Sequence, residues 1–309
     1  MTANTDVSAA LTAAGVEHRT DEPLVKKTWW RVGGPADVFV DATDEPTLRR
    51  VLAVARDHGA PVFVLGNASN LLVSDRGVRG IVVRLGGGLA EATEEPGAGA
   101  PNERVVRLGA GAKLVPLCKR AERAGWSGLE RFAGIPGTVG GAVRMNAGTA
   151  LGEVSDLLLD VDVILPDGTR ERLPRESLAM GYRHAELPDG AVVVAARLKL
   201  TDEDPAAAWH KAAEHLEYRA RTQPVDVPTC GSTFRNPPGD RAGRLIEACG
   251  LKGLTIGGAQ VSPKHANFLV NTGEATAADI RTLIERIRTE VRGQTGIELV
   301  PEVHLAGEW

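Results

Sequence analysis

The chain lacks the two commonest nucleotide-binding signatures. No G-x-G-x-x-G occurs in its 309 residues; Gly109-Ala110-Gly111 comes nearest and has Leu114 where the third glycine should stand. No glycine precedes a lysine, so G-x-x-x-x-G-K-[ST] is missing too. These gaps remove a dinucleotide-fingerprint Rossmann unit and a P-loop NTPase. Cysteine is scarce. Cys118, Cys230 and Cys249 are far apart, odd in number and without a C-x-x-C, which argues against a disulfide framework or a zinc site. Excess positive charge is missing as well. The formal net charge is −4, with no basic domain of the kind nucleic acid requires. No run approaches the roughly 18 apolar residues of a membrane span. Met1 to Ala14 shows neither a basic region nor an apolar stretch of signal length. The expected compartment is a reducing cytoplasm. No metal is expected. His210 and His215 flank Glu214, but histidines five apart lie about 140° apart around a helix, whereas H-E-x-x-H needs them four apart on one face.

What is present is an ordinary enzyme composition, 43% apolar and 25% charged, in a chain long enough for two or three domains. The most informative stretch runs from Arg131 to Gly148. It carries Gly134, Ile135, Pro136, Gly137, Gly140, Gly141, Asn146 and Gly148, and few large apolar side chains. Such a run is not expected to form a normal helix or strand, because glycine is entropically unfavourable in both. It can bring bare backbone against a ligand and aim several N–H groups at anionic oxygens. A second loop, Gly66-Asn67-Ala68-Ser69-Asn70, follows the apolar run Val62–Leu65. The pair suggests a diphosphate held between two backbone cradles.

Along the chain, Asp44–His58 reads as a helix from the spacing of Leu48, Val51, Leu52 and Ala55, with Gly59 as its stop. Pro61–Leu65 and Gly80–Leu85 read as buried strands, and 86–102 as a surface loop. Val105–Leu108 is a strand and Leu114–Ala124 a helix. Leu157–Leu165, Arg170–Leu173 and Ala191–Leu200 are strands, the first two joined by Pro166-Asp167-Gly168. Composition shifts near residue 202. Asp202–Arg221 and Leu245–Cys249 read as helices. Thr276–Arg292 is the most amphipathic segment, with a capping-box start at Thr276 and Asp279 and a stop at Gly293. A closing strand is expected over Ile297–Leu305. The fold class is therefore α+β.

Three polar clusters could carry chemistry. Cys230-Gly231-Ser232-Thr233-Phe234-Arg235-Asn236-Pro237 presents a hydroxyl beside a glycine. It is not a G-x-S-x-G elbow, and an ST-turn or helix cap remains open for it. In Gly181-Tyr182-Arg183-His184, Arg183 either forks onto a carboxylate or is a surface cation. In the last strand, alternation puts Glu302 and His304 on one face, and Pro301 confines that strand to an edge or bulge.

Taken in order, Leu65–Val73, Ala133–Ala142 with Met145–Gly148, Gly231–Pro237, Leu245-Ile246-Glu247, Gly250–Gly253, Gly257-Gly258-Ala259 with Val261–Phe268, and Pro301-Glu302-Val303 resemble the UDP-N-acetylenolpyruvoylglucosamine reductase family. The resemblance runs from about Thr28 to Gly307. The short path from Arg183 to Ser232 is similar to the shorter subtype, which lacks an extra substrate-covering loop. The resemblance implies an FAD-binding block of the vanillyl-alcohol-oxidase (PCMH) type made of two α+β subdomains, over 1–75 and 76–203, plus a smaller α+β substrate-binding domain over 204–309. It implies non-covalent FAD with NADPH as co-substrate, and reduction of the enolpyruvyl ether of UDP-N-acetylglucosamine to UDP-N-acetylmuramate for peptidoglycan. Cofactor contacts are then expected from Gly66, Asn67, Ala68, Ser69, Asn70, Gly134, Ile135, Pro136, Gly137, Gly140, Gly141, Asn146 and Gly148. Ser232 stands where the family keeps its proton donor. Arg183 and Glu302 stand where it polarises the substrate carboxylate and stabilises the enolate-like intermediate. Tyr182, Arg183, Asn236, Lys264 and His265 stand at substrate-binding positions. A monomer with small-molecule partners, no nucleic acid and no membrane is expected.

Three departures are visible. Ala68 replaces a frequent glycine, Lys27–Arg31 differs from the usual start, and Thr149-Ala150-Leu151-Gly152 follows Asn146-Ala147-Gly148 in place of Ala-Tyr-Gly. The rival readings are another FAD-linked oxidase of the same cofactor fold and a non-catalytic flavin- or nucleotide-binding module. A module should lack one of Ser232, Arg183 or Glu302, and an oxidase should have a different last domain.

Overall fold

The computed structural model describes residues 3–97, 99, 100, 102–201 and 204–309. Its elements, in chain order, are α1 (Ala3–Ala13), β1 (Arg19–Pro23), β2 (Pro35–Ala42), α2 (Glu45–Asp57), β3 (Val62–Val64), β4 (Leu71–Val73), β5 (Val78–Leu85), β6 (Ala92–Glu95), β7 (Glu103–Gly109), α3 (Leu114–Ala124), α4 (Val139–Arg144), β8 (Gly148–Thr149) and β9 (Gly152–Glu153). There follow β10 (Leu158–Ile164), β11 (Arg170–Pro174), β12 (Val192–Thr201), α5 (Pro205–Thr222), α6 (Ala242–Ala248), β13 (Thr255–Ile256), β14 (Ala259–Val261), β15 (Leu269–Asn271), α7 (Ala277–Thr295) and β16 (His304–Ala306). The sheets have orders β1-β2-β5-β3, β11-β10-β12-β7-β6 and β13-β14-β15, with the pairs β16-β4 and β8-β9.

The chain divides into two units. One comprises 1–20, 38–67 and 80–216; the other comprises 21–37, 68–79 and 217–309. The C-terminal unit thus includes two short N-terminal segments.

In the first unit the antiparallel five-stranded sheet buries Val161, Val163, Val194, Ala196 and Leu198 with α3, whose apolar stripe is Leu114, Leu117, Cys118 and Ala121. Asp44 caps α2 by accepting from the Thr47 amide at 2.7 Å, a contact worth about 1 kcal/mol. In the second unit α7 presents Ile280, Leu283, Ile284, Ile287 and Val291 to a core that includes Phe234, Leu245 and Leu269. Trp30 is fully buried there, and its indole N–H donates to the Leu269 carbonyl at 2.8 Å. The α7 capping box forms as expected. Asp75 adds a second cap, accepting from the Ala277 and Ala278 amides at 2.9 Å each.

Several expectations are corrected. The glycine run does contain a helix, α4. Thr138 caps it through the Gly141 amide, while Ala110 and Ala112 accept from the Gly140 and Val139 amides at 2.8 and 2.9 Å. A side-chain cap and tertiary acceptors outweigh the entropy of two glycines over so short a span. The expected loop over 86–102 holds a 3₁₀ turn at Gly87–Ala90 and the edge strand β6, which pairs with β7. Strand β3 is short, and Val64 is 39% exposed rather than buried. Helix α7 runs past Gly293 to a left-handed cap at Gly296. The closing strand shrinks to β16, because Pro301 has no N–H to carry a ladder upstream. Asp202, at the expected start of α5, lies outside the described residues.

Candidate active site

The segment around Ser232 is held by backbone on both sides. Thr229 donates its hydroxyl to the Leu269 carbonyl at 2.7 Å. The Thr233 amide donates to the Asn267 carbonyl at 2.8 Å. The Asn267 carboxamide accepts from the Phe234 amide at 3.0 Å and donates to the Phe234 carbonyl at 2.9 Å. Ser232 itself bridges Phe268 in antiparallel fashion. On the opposite side the Arg235 amide donates to the Val300 carbonyl at 2.9 Å, and the Glu302 amide donates to the Thr233 carbonyl at 2.8 Å. Ser232 and Glu302 are thus carried by neighbouring segments of one unit, both half-buried. The geometry is set by hydrogen bonds rather than by strand propensity.

Cys230, immediately before this segment, is buried. Its thiol donates to the Leu71 carbonyl at 3.5 Å. Burial pushes its pKa up to about 12, so it stays a protonated donor and not a nucleophile. Asn236 lies six residues before Ala242 and helps cap α6, its side-chain oxygen accepting from the Ala242 amide at 3.1 Å. His265 packs edge-on against Phe268, and its Nδ1 accepts from the Asn267 amide at 3.2 Å. Burial, with Lys252 adding to it, holds His265 below the ordinary imidazole value, so it is a neutral ring at physiological pH. Lys264 is exposed, and its ammonium donates to the Ala220 carbonyl at 2.7 Å.

Arg183 lies in the first unit. Gly181 and His184 exchange backbone hydrogen bonds at 3.0 Å each, so Tyr182 and Arg183 form a tight two-residue turn. Arg183 holds φ +55, a position that favours glycine or asparagine. Its guanidinium donates to the Gly148 carbonyl at 3.1 Å and lies 5.1 Å from the centre of the exposed Tyr182 ring. A bulky residue kept in that conformation costs about 1–2 kcal/mol, the kind of strain that collects at functional positions.

The two loops differ in how their amides are used. None of the N–H groups of Gly66, Asn67, Ala68, Ser69 and Asn70 donates to another described residue. Five consecutive donors without a described acceptor are the raw material of an anion cradle. A side chain at Gly66 would place its Cβ 2.8 Å from the Thr138 hydroxyl. The Asn67 carboxamide donates to the Pro136 carbonyl, so the two loops meet at this point. In the glycine run, Gly134, Gly137 and Thr138 likewise donate to no described residue, whereas Ile135, Val139, Gly140, Gly141 and Ala142 do. Asn146 is fully buried. Its side chain donates to Glu153 at 2.8 Å and to the Gly181 carbonyl at 3.0 Å, and accepts from the Ser155 amide at 2.9 Å. Gly148 pairs with Glu153 in the β8-β9 hairpin. The donor set therefore suits the diphosphate of a dinucleotide such as FAD.

Sequence reasoning passed over two residues. Thr138 caps α4 and borders Gly66; a threonine directly before Val-Gly-Gly was a legible cap signal. Arg219 has a guanidinium whose pKa is lowered by burial, yet it pairs with no carboxylate among the described residues and donates only through Nε, to Gln223 at 3.0 Å. A half-buried cation with no carboxylate beside it suits an anionic ligand, and no local pattern announces it.

Comparison with known proteins agrees with this architecture. Residues 223–306 match the model of the UDP-N-acetylenolpyruvoylglucosamine reductase C-terminal domain, and residues 36–174 match that of an FAD binding domain. The UDP-N-acetylenolpyruvoylglucosamine reductase of Agathobacter rectalis is 42% identical over 94% of this chain and 94% of its own length. That of Anaeromyxobacter sp. (strain Fw109-5) is 47% identical, over 94% of this chain and 88% of its own. The solved UDP-N-acetylenolpyruvylglucosamine reductase of Thermus caldophilus superposes with a TM-score of 0.79 at 40% identity, covering 94% of this chain and 98% of that one. At 14% identity and a TM-score of 0.51, the glucose dehydrogenase Phl p 4.0202 shares the fold alone. This chain is a member of the UDP-N-acetylenolpyruvoylglucosamine reductase family.

Proposed function

We propose that this chain reduces the enolpyruvyl ether of UDP-N-acetylglucosamine to UDP-N-acetylmuramate, with FAD bound non-covalently and NADPH as the electron source, in peptidoglycan precursor synthesis. The observation that carries the reading is similarity over 94% of this chain, at above 40% identity, to reductases of this name. The reaction adds one hydride and one proton across the vinyl double bond. FAD, when bound, supplies the hydride that NADPH has delivered to it. The Gly66–Asn70 amides and those of Gly134, Gly137 and Thr138 would hold its diphosphate.

The remaining work belongs to side chains. The Ser232 hydroxyl gives its proton to the carbon next to the carboxylate. Serine is a weak acid, so this transfer needs a fixed hydroxyl, and the backbone bonds flanking Ser232 supply that rigidity. Arg183 forks onto the substrate carboxylate, where negative charge grows, and Glu302 holds the developing enolic centre. Tyr182, Asn236, Lys264 and His265 bind the sugar nucleotide. Segments 1–75 and 76–203 serve the cofactor, and 204–309 serves the substrate. The enzyme works as a cytoplasmic monomer. Among the described residues no helix is long and apolar enough to cross a membrane.

Anaerobic stopped flow tests this reading. NADPH should bleach the flavin, and the enolpyruvyl substrate should restore its colour. In Ser232→Ala, bleaching should proceed at near the parent rate, while restoration slows by about 10²–10⁴-fold, as for a lost general acid. A parent protein that binds no FAD, or whose reduced form ignores the substrate, sinks the assignment. Equal slowing of both steps in Ser232→Ala sinks the serine's role alone.

A further inference from the structure

We infer that Asn70 is a positioning residue for Glu302, clasping the main chain on which that carboxylate is mounted; this rests on the function proposed above. Asn70 closes the Gly66–Asn70 cradle, and the resemblance places it with the flavin. Its side chain does something else. The carboxamide Nδ2–H donates to the Glu302 carbonyl at 3.0 Å. The Asn70 carbonyl accepts from the His304 amide at 3.1 Å, and the Glu302 amide is spent on the Thr233 carbonyl at 2.8 Å. Both backbone polar groups of Glu302 are therefore fixed, one by the residue after the proposed acid Ser232 and one by the last residue of the cradle.

The side chain of Asn70 acts here where the backbone ladder has stopped. The parallel pair of β4 with β16 begins only at Leu71 opposite His304. Upstream of that point Pro301 has no N–H to extend the ladder, the Asn70 amide has no described acceptor, and the Asn70 carboxamide instead donates across to the Glu302 carbonyl. The Cys230 thiol, donating to the Leu71 carbonyl at 3.5 Å, pins the same strand start from the Ser232 side. The cradle's final residue is thus joined to both proposed proton-handling segments. Losing the clasp removes this bond to the Glu302 main chain and lets its carboxylate shift. A displacement of about 1 Å at a reacting centre is enough for a hundredfold loss.

The test is a double-mutant cycle on Asn70→Asp and Glu302→Ala, with Asn70→Ala as a second probe should the added charge disturb folding. Asn70→Asp keeps the shape and removes the donor. Three quantities are read: the dissociation constant for FAD, the rate of flavin reduction by NADPH and the rate of reoxidation by the enolpyruvyl substrate. Reoxidation should fall about ten- to a hundredfold, well beyond any change in flavin reduction. On the Glu302→Ala background the same substitution should cost less than about threefold, because a residue acting through Glu302 has nothing left to position. The inference is overturned if the two effects multiply. It is equally overturned if the loss follows FAD dissociation and disappears at saturating FAD, which would make Asn70 a flavin ligand only. A parent enzyme that fails either half-reaction condemns the proposed function instead and is recognised before any variant is made.

Discussion

The two glycine-marked loops look alike as sequence and behave differently as structure. In Gly66–Asn70 all five amides are left without a described acceptor. In the run from Gly134 to Ala142 most are consumed internally: Val139 and Gly140 donate to Ala112 and Ala110, and Gly141 and Ala142 to Thr138. Glycine thus has two uses here. At Gly66 it leaves room beside Thr138 and exposes donors. At Gly140 it permits close packing, because a Cβ there would come 3.0 Å from that of Ala110. Gly66–Asn70 holds one glycine and Gly134–Ala142 holds four, and neither count says which use applies. The fate of the N–H groups separates a ligand cradle from a packing corner.

The comparison breaks most visibly at Asn146. A carboxamide in a glycine run invites assignment to the ligand, but both of its side-chain polar atoms are engaged within the protein. Asn146→Ala should lower unfolding free energy by about 3–5 kcal/mol, from lost bonds and from partners left buried and unsatisfied. Chemical denaturation of the flavin-free chain measures it. A loss under about 1 kcal/mol, accompanied by weakened FAD binding, would return Asn146 to the cofactor.

A paired substitution sharpens the contrast. Gly66→Val pushes atoms at the Thr138 hydroxyl and across the free amides, so FAD affinity should fall about a hundredfold or more, near 2.7 kcal/mol. Gly140→Ala should act through stability instead, losing about 1–2 kcal/mol to overpacking against Ala110, since its amide is already engaged. Flavin titration and denaturation of each variant give four numbers. If both glycines weaken FAD equally, the distinction between cradle and corner is wrong.

Local physics made much of this fold legible and tertiary contacts hid the rest. Helix α3 falls at its expected bounds, because its apolar spacing and the glycine stop at Gly125 are local. The α7 cap was readable from Thr276 and Asp279 for the same reason. Helix α4 was not, because it depends on carbonyls of Ala110 and Ala112 more than twenty residues upstream. The site divides in the same way. The Ser232 segment and the Gly66–Asn70 loop stand out as polar, glycine-marked patches. The clasp between Asn70 and Glu302 joins residues 232 positions apart, and the desolvation of Arg219 is set by what packs around it. Neither leaves a pattern in a window of sequence.

The smallest effect is expected at Ala68, inside the cradle, where opposing forces nearly balance. Ala68 holds φ +49, a left-handed conformation that costs an L-residue about 1–2 kcal/mol. Ala68→Gly removes that strain. It also adds about 0.5–1 kcal/mol of chain entropy to the unfolded state, and withdraws a methyl that is only 3% exposed, worth about 0.8 kcal/mol when buried. The sum lies within about 1 kcal/mol of zero, so alanine is tolerated at this left-handed position. The backbone conformation is unchanged by the swap, so the cradle amides keep their directions and FAD affinity should stay within about threefold, under 0.7 kcal/mol. Denaturation and flavin titration of Ala68→Gly check both statements. Stabilisation beyond about 1.5 kcal/mol would mean that the buried methyl contributes nothing. A large gain in FAD affinity would mean that the methyl obstructs the ligand, and that the free amides of this loop are only partly accessible to it.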